Sequence, residues 1–294
     1  MKTVLKNVYK SLPLKKEMFS LVKMVWTPSP NVYRHLYFKG DFKVKVDDEH
    51  SFLINHYGFQ IENELFWRGL NEAWEKTSIQ LWQKLVTRAD VIFDIGANTG
   101  LYALVAKSLN PSSKVYAFDP VKRVFERLLE NNNLNNYDIE CFELAASNAD
   151  GDAVIYDLPF EHILSVTVNK NNRLPDVGVD AIPTTIKTVR LDTFITQHEI
   201  NKVDLLKIDV ERHEFEVLDG MGVYLEQHRP NMLAEILENE VGEKVESLVS
   251  DKDYLYFRID DEDGSVNKMP HIRIEKDCNF LLCDEKTATE LMLL

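Results

Sequence analysis

Val91-Ile92-Phe93-Asp94-Ile95-Gly96-Ala97-Asn98-Thr99-Gly100-Leu101-Tyr102 is the run from which the rest of the chain can be ordered. Its first five residues are short, apolar and rich in β-formers, as in a strand buried on both faces. Thr99–Leu109 then reads as a helix, ended by Asn110-Pro111. Glycines between the two allow a sharp turn and let a ligand approach the peptide groups closely. The helix start behind them offers unpaired N–H groups that favour a carboxylate or phosphate.

Downstream the same cadence continues. Lys114–Phe118 is a second strand, Val121–Asn131 a second helix and Ile139–Leu144 a third strand. After a helical stretch at Leu191–Glu199 come a fourth strand at Val203–Ile208 and a helix over Glu214–Leu225. Met232–Ile236 is a fifth strand and Glu240–Ser250 a further helix. Strands and helices in alternation predict an α/β fold with a parallel sheet covered on both faces. Asp150–Arg190 breaks the pattern and reads as an inserted β-arm or lid. Tyr254–Ile259 and Asn279–Cys283 read as two late strands; Asp263-Gly264 between them suits a hairpin turn, with the surrounding acids solvated.

Upstream, Glu62–Arg88 has helical spacing, and Trp67 and Trp74 within it are expected to pack in the core. Phe42–Val46, Asp47–Glu49 and Ser51–Ile54 read as strand, turn and strand, and Thr27-Pro28-Ser29-Pro30 as a breaker. The expected division is a basic N-terminal extension over 1–60 and a larger domain over 61–294 that carries the insertion at 150–190.

A chain of 294 residues can bury a full core without disulfides. Its three cysteines, Cys141, Cys278 and Cys283, form no C-x-x-C pair, which suits a reducing compartment. No apolar run approaches the ~20 residues of a membrane span, so a soluble, cytoplasmic protein is expected. Residues 1–46 hold ten basic and two acidic side chains, a net +8; the total is −14, so the remainder carries −22. A body this acidic repels phosphate backbones and excludes nucleic acid as its partner. The basic segment suits either an anionic membrane surface, through residues 1–24, or a solvated helix packed on the acidic body. The lack of a long basic-apolar repeat favours the helix.

Asp119 lies nineteen residues past Gly100, at the end of the second strand. A carboxylate there can accept both ribose hydroxyls of an adenosine-type cofactor. A dinucleotide site wants G-x-G-x-x-G, but Asn98 replaces the middle glycine and Leu101-Tyr102 follows Gly100. Asp94, two residues before Gly96, is placed to meet an ammonium. A ribose, an ammonium and no phosphates describe S-adenosylmethionine.

Val91–Leu104, Val115–Pro120, Leu191–Phe194, Val203–Phe215, Arg229–Ile236 and Asn279–Leu282 resemble the FkbM family of S-adenosylmethionine-dependent methyltransferases. The resemblance implies the class I methyltransferase fold, a Rossmann-like seven-stranded sheet with its last strand antiparallel. It implies that Asp94, Gly96, Asn98, Thr99 and Gly100 hold the methionine part, Asp119 the ribose and Ala145 the adenine edge. Asp209 would face the methyl group. Arg212 stands where the family usually has Gly, which puts the backbone shape of that loop in question.

The implied reaction is O-methylation of a small-molecule or glycan hydroxyl, and that acceptor must lose a proton. Asp209, Glu211 and His213 follow the fourth strand, and an extended chain would put all three on one side. His213 suits a base near neutrality, oriented by Asp209 or Glu211. The alternative is that Glu211 and Glu214 are acids favouring the next helix N-terminus, with His213 on its surface. So few ligands predict no metal. His162, in the insertion, is a second candidate base, although a lone loop histidine is ordinarily solvated. Glu75 reads as a surface carboxylate, and Glu235 as a strand-ending acid near the site. Two rivals stand beside this reading: a nicotinamide-dependent oxidoreductase of Rossmann type, and a non-catalytic module that binds S-adenosylmethionine.

Overall fold

A computed structural model describes residues 14–157, 182–276 and 278–294. Helix α1 (Lys15–Val25) and the short α2 (Pro30–Tyr33) lead to an antiparallel hairpin of β1 (Gly40–Lys45) and β2 (Ser51–His56). Asp47 shapes its turn by accepting the N–H groups of Glu49 and His50. Next come α3 (Gln60–Arg68) and α4 (Lys76–Val86), where the sequence predicts one helix. The break falls at Gly69, whose φ of 84° leaves the helical region, and α4 restarts after Glu75 at φ 55°. That break puts the two tryptophans out of phase. Trp67 is buried as expected, but Trp74 is 40% exposed.

The remaining elements are β3 (Val91–Ile95), α5 (Leu101–Leu109), β4 (Lys114–Phe118), α6 (Lys122–Asn135), β5 (Glu140–Phe142), β6 (Ala145–Ser147), β7 (Gly151–Asp157) and β8 (Ile182–Arg190). They continue through α7 (Leu191–Gln197), β9 (Leu205–Ile208), α8 (Glu214–Asp219), α9 (Val223–His228), β10 (Asn231–Glu235) and α10 (Asn239–Val249). The chain closes with β11 (Leu255–Ile259), β12 (Val266–Met269), β13 (Asn279–Cys283) and α11 (Glu285–Glu290).

Eight strands form the main sheet in the order β12-β11-β13-β10-β9-β3-β4-β5. β5, β4, β3, β9 and β10 are parallel, and β13 is antiparallel to both β10 and β11. This is the class I methyltransferase arrangement, with one strand beyond the expected seven: β12 pairs antiparallel with β11 and covers that edge.

Three local expectations give way to packing. The third strand shortens to β5 at the edge of the main sheet, and a further strand just beyond its expected end, β6, joins β8 and β7 in a separate three-stranded sheet. The single helix over Glu214–Leu225 becomes α8 and α9, because the backbone leaves the helical region at Gly222, with φ 53°; just before it Gly220 packs on β6, where a Cβ would sit 2.1 Å from the Ser147 carbonyl oxygen. Among the acids of the β11–β12 turn, Asp261 is not solvated. Its Oδ1 accepts the Thr77 and Ser78 N–H groups at 2.8 and 2.9 Å, capping α4 from 183 residues away.

Strand periodicity divides the core in two. Ile92, Val115, Ala117, Leu205 and Leu233 face α4 and α5, while Phe93, Tyr116, Phe118, Leu206 and Met232 face the other layer. The first cluster also holds Phe19, Tyr33, Phe42, Ile54 and Trp67, so the N-terminal segment and the sheet share one core. Covered on both sides, α5 is buried along nearly its whole length. β7 and β8 form the antiparallel root of the insertion, from Gly151 opposite Thr188 to Asp157 opposite Ile182. His162 lies outside the described residues. No helix among those described is long and apolar enough to cross a membrane.

Candidate active site

The carboxyl ends of β3, β4, β9 and β10 open into a cleft of about 290 Å³. One wall is apolar, formed by Phe118, Val121, Leu144, Ala145, Ala146 and Ile155. The other is acidic, with Asp119, Asp209, Glu211 and Glu235, and Trp74 also lines the cleft. His213 and Ser147 meet where the walls join, Ser147 Oγ lying 2.9 Å from His213 Nε2.

The loop after β3 is set by contacts that only small residues permit. A Cβ on Gly96 would lie 1.8 Å from the carbonyl oxygen of Asp209, so the β3 and β9 loops touch through backbone alone. Asn98 adopts φ 52°, and its N–H is held at 3.1 Å by Asp119 Oδ2. Asp119 Oδ1 accepts the Val121 N–H at 2.9 Å, and burial pushes this carboxyl up to about 7. Asn98 Oδ1 lines up no hydrogen bond although it is buried, which leaves an acceptor for a ligand donor.

Of the residues expected to hold a ligand, Gly96, Asn98, Asp119, Ala145 and Asp209 line the cleft. Asp94, Thr99 and Gly100 lie behind it. Asp94 is buried with Oδ2 accepting the Ala103 N–H at 2.9 Å, so its contact is the start of α5 and not an ammonium in the cleft. Thr99 gives its carbonyl to the Asn131 side chain. Gly100 starts α5 at φ 92°, where a Cβ would meet Leu128 Cδ1 at 2.6 Å.

Lys207 is a buried charge behind the cleft that the sequence pattern alone does not reveal. Asp94 and Lys207 are register partners across β3 and β9, and strand alternation turns Asp94, Lys207, Asp209 and Glu235 toward the layer of α4 and α5. Lys207 Nζ lies 3.4 Å from Asp209 Oδ2 and 4.8 Å from the centre of the Tyr102 ring. Burial works against its charge, but Asp209, Glu75, Glu235 and Asp94 outweigh it and hold the ammonium above its ordinary range. Glu75 is buried here and not on the surface: it accepts the Tyr102 hydroxyl at 2.7 Å and the Asn279 amide at 2.9 Å. Burial raises Glu75, Asp94 and Glu235, with Asp94 at about 7. A lysine in the middle of an otherwise apolar, fully buried strand is the signal that marks this cluster.

The three candidates Asp209, Glu211 and His213 come together by a different route from the one expected. β9 stops at Ile208, and Glu211 and Arg212 take left-handed φ of 54° and 77°. The turn, not a continued strand, brings Asp209, Glu211 and His213 to the cleft. Arg212 keeps a conformation that glycine adopts freely, and its guanidinium pairs with Glu238 at 2.5 Å. The acid facing His213 is neither Asp209 nor Glu211 but Glu216, with Oε2 3.4 Å from Nδ1. Burial lowers the His213 pKa, with Glu216 opposing. Glu214 is buried and accepts the Arg212 N–H at 3.1 Å, so it braces the turn.

A family model described as the methyltransferase FkbM domain matches residues 94–262. The chain belongs to the FkbM methyltransferase family. The matched FkbM region contains Asp119, Asp209, Glu211, His213 and Glu235, whereas Trp74 and Glu75 precede it. The chain is 29% identical over 158 residues to the hexuronic acid methyltransferase AglP of Haloferax volcanii, covering 54% of this chain and 61% of that one. It is 31% identical over 157 residues to the 31-O-demethyl-FK506 methyltransferase FkbM of Streptomyces tacrolimicus, covering 45% and 59%. It therefore spans about three fifths of these relatives. The 2-O-methyltransferase NoeI of Sinorhizobium fredii is 31% identical over 144 residues, covering 44% and 56%.

Proposed function

We propose that this chain transfers a methyl group from S-adenosylmethionine to a hydroxyl of a small molecule or glycan. One observation carries the reading: among the described residues the cleft is lined by four carboxylates, one imidazole and no lysine or arginine. Burial raises Asp119, Glu211 and Glu235, so an ammonium and a sulfonium in the cleft would favour the ionised forms these carboxyls otherwise hold back, and nothing in this lining would pair the pyrophosphate of a nicotinamide dinucleotide. The buried, unpartnered Asn98 Oδ1 and the backbone-only approach at Gly96 also fit a ligand laid against the β3 loop. Three of the relatives named above are methyltransferases, two of them with an oxygen acceptor in their names.

In this reading Asp119 holds the ribose hydroxyls, the wall from Leu144 to Ala146 covers the adenine, and Asp209 with Glu235 faces the cationic end. When bound, the cofactor supplies the methyl as an electrophilic carbon on a sulfonium. The chain then has to orient an alcohol, exclude water and take up its proton. His213, kept neutral near pH 7 by burial, accepts that proton, and Glu216 at Nδ1 stabilises the resulting imidazolium. The three unpaired thiols Cys141, Cys278 and Cys283 suit a reducing cytoplasm.

The test is calorimetric titration with S-adenosylmethionine, S-adenosylhomocysteine and NADH, followed by a mass-shift screen of sugar and polyketide alcohols. Binding of the first two, with loss in Asp119→Ala, is expected. Binding of NADH alone would overturn the assignment. Binding without methyl transfer to any acceptor would leave a non-catalytic module.

A further inference from the structure

The described residues carry 13 large apolar side chains that remain exposed, and seven of them lie between positions 14 and 32. They are Leu14, Met18, Leu21, Met24, Val25, Trp26 and Val32. Leu14, Met18, Leu21 and Val25 follow one another at intervals of four, three and four, which places them on one face at the start of and along α1. A different face is used for packing. Phe19 is buried and stacks 5.6 Å from Trp67, while Lys23 turns inward to the Phe66 carbonyl. α1 therefore has its inner side occupied and still presents a continuous apolar stripe outward. Val25 and Met24 are 87% and 79% exposed, more than a core-seeking helix leaves uncovered.

Charge identifies the occupant. The stripe belongs to the only strongly basic part of the chain, +8 over residues 1–46 against −22 elsewhere. An anionic surface attracts this end and repels the rest, which orients the molecule with the stripe toward that surface. A second copy of the chain is disfavoured on the same ground, since a self-complementary contact brings two basic segments together. A Trp at the helix end suits a headgroup region, where an aromatic ring has one side apolar and one side wet. We infer that residues 14–32 dock the protein on an anionic lipid bilayer, with Leu14, Met18, Leu21, Val25 and Trp26 entering its interfacial layer. This inference is independent of the reaction assigned to the cleft.

The experiment uses the full chain and vesicles of equimolar phosphatidylglycerol and phosphatidylcholine, with pure phosphatidylcholine as the uncharged comparison. Co-flotation with the anionic vesicles is expected, weakening as salt is raised. The double variant Leu21→Glu, Met24→Glu should lose at least about tenfold in partitioning, because it removes buried apolar area and adds two repelling charges. These side chains are exposed, so the melting temperature and the titration with S-adenosylmethionine should not change. A blue shift of emission on vesicle addition, absent in Trp26→Phe, would place the indole in lipid. Equal flotation of wild type and double variant, or no flotation on anionic vesicles, overturns the inference. So does sedimentation showing a dimer that the double variant abolishes, since that assigns the stripe to a second copy.

Discussion

Adding one methyl group at Gly96 is the sharpest test of how the cleft is built. The new Cβ in Gly96→Ala would stand 1.8 Å from the Asp209 carbonyl oxygen, and real contacts of this kind do not fall below 3.0 Å. The two loops must therefore separate by about 1.2 Å, the difference between those distances. The neighbouring bond from the Asp209 N–H to the Ile95 carbonyl, 2.9 Å long, resists that movement. Alanine at φ 80° costs about 1–2 kcal/mol. Loss of the backbone bond adds about 0.5–1.5 kcal/mol, and forced repacking about 1–3 kcal/mol. The expected destabilisation is about 2.5–6.5 kcal/mol, a large part of the stability of an ordinary domain. Gly40→Ala is the control, because Gly40 has φ 119° and nothing within 4 Å of the added atom. Urea unfolding of both variants separates the contact from the backbone term. Calorimetry should show S-adenosylmethionine affinity falling by about a hundredfold in whatever Gly96→Ala remains folded, since Asp209 lines the cleft. A Gly96→Ala protein with the midpoint of Gly40→Ala and unchanged affinity would refute the reasoning.

Other perturbations address the charges. His213→Gln should abolish turnover while leaving cofactor affinity within about twofold. In the wild type, activity should persist below the ordinary histidine pKa of 6.5 and disappear only as pH falls further, because burial lowers the His213 value. Asp94 and Asp119 have folded values near 7, above the unfolded 3.8. The stability they contribute is full below about pH 4 and is lost as pH rises through 7. Urea midpoints of the ligand-free chain should decline across that window, and Asp94→Asn should flatten the decline. Lys207→Met leaves Asp94, Asp209, Glu75 and Glu235 without their cation. It should cost about 3–5 kcal/mol at pH 7, with part recovered at pH 5, where the carboxylates protonate; equal loss at both pH values would show that packing, not charge, is responsible.

What could be read from the sequence was local or periodic. The glycines of the β3 loop and the spacing to Asp119 mark a turn and a strand end, and both are short-range properties of the chain. Lys207 could not be assigned its partners that way, because Asp209 is near in sequence but Glu75, Asp94 and Glu235 meet it only once three strands and α4 are in register. The same holds for Asp261, which caps a helix from the far side of the chain. Asp94 reads equally as a ligand group and as a helix brace until the fold shows which N–H it faces. The expected geometry of the candidate trio is not there: Asp209, Glu211 and His213 are gathered by two left-handed residues, and neither Glu nor Arg announces such a φ.

The parallel pairing of β6 with β8 matters for anyone who would re-engineer this molecule. Ala145 and Ala146, which floor one side of the cleft, are bonded to the stem of the arm at Thr188 and Val189. Floor and stem are thus one plank. Grafts that aim to change what the cleft admits should be spliced beyond Asp157 and Ile182, where the described pairing ends. A splice at Asp150 or Arg190 would tear up the floor along with the arm and so deform the cleft.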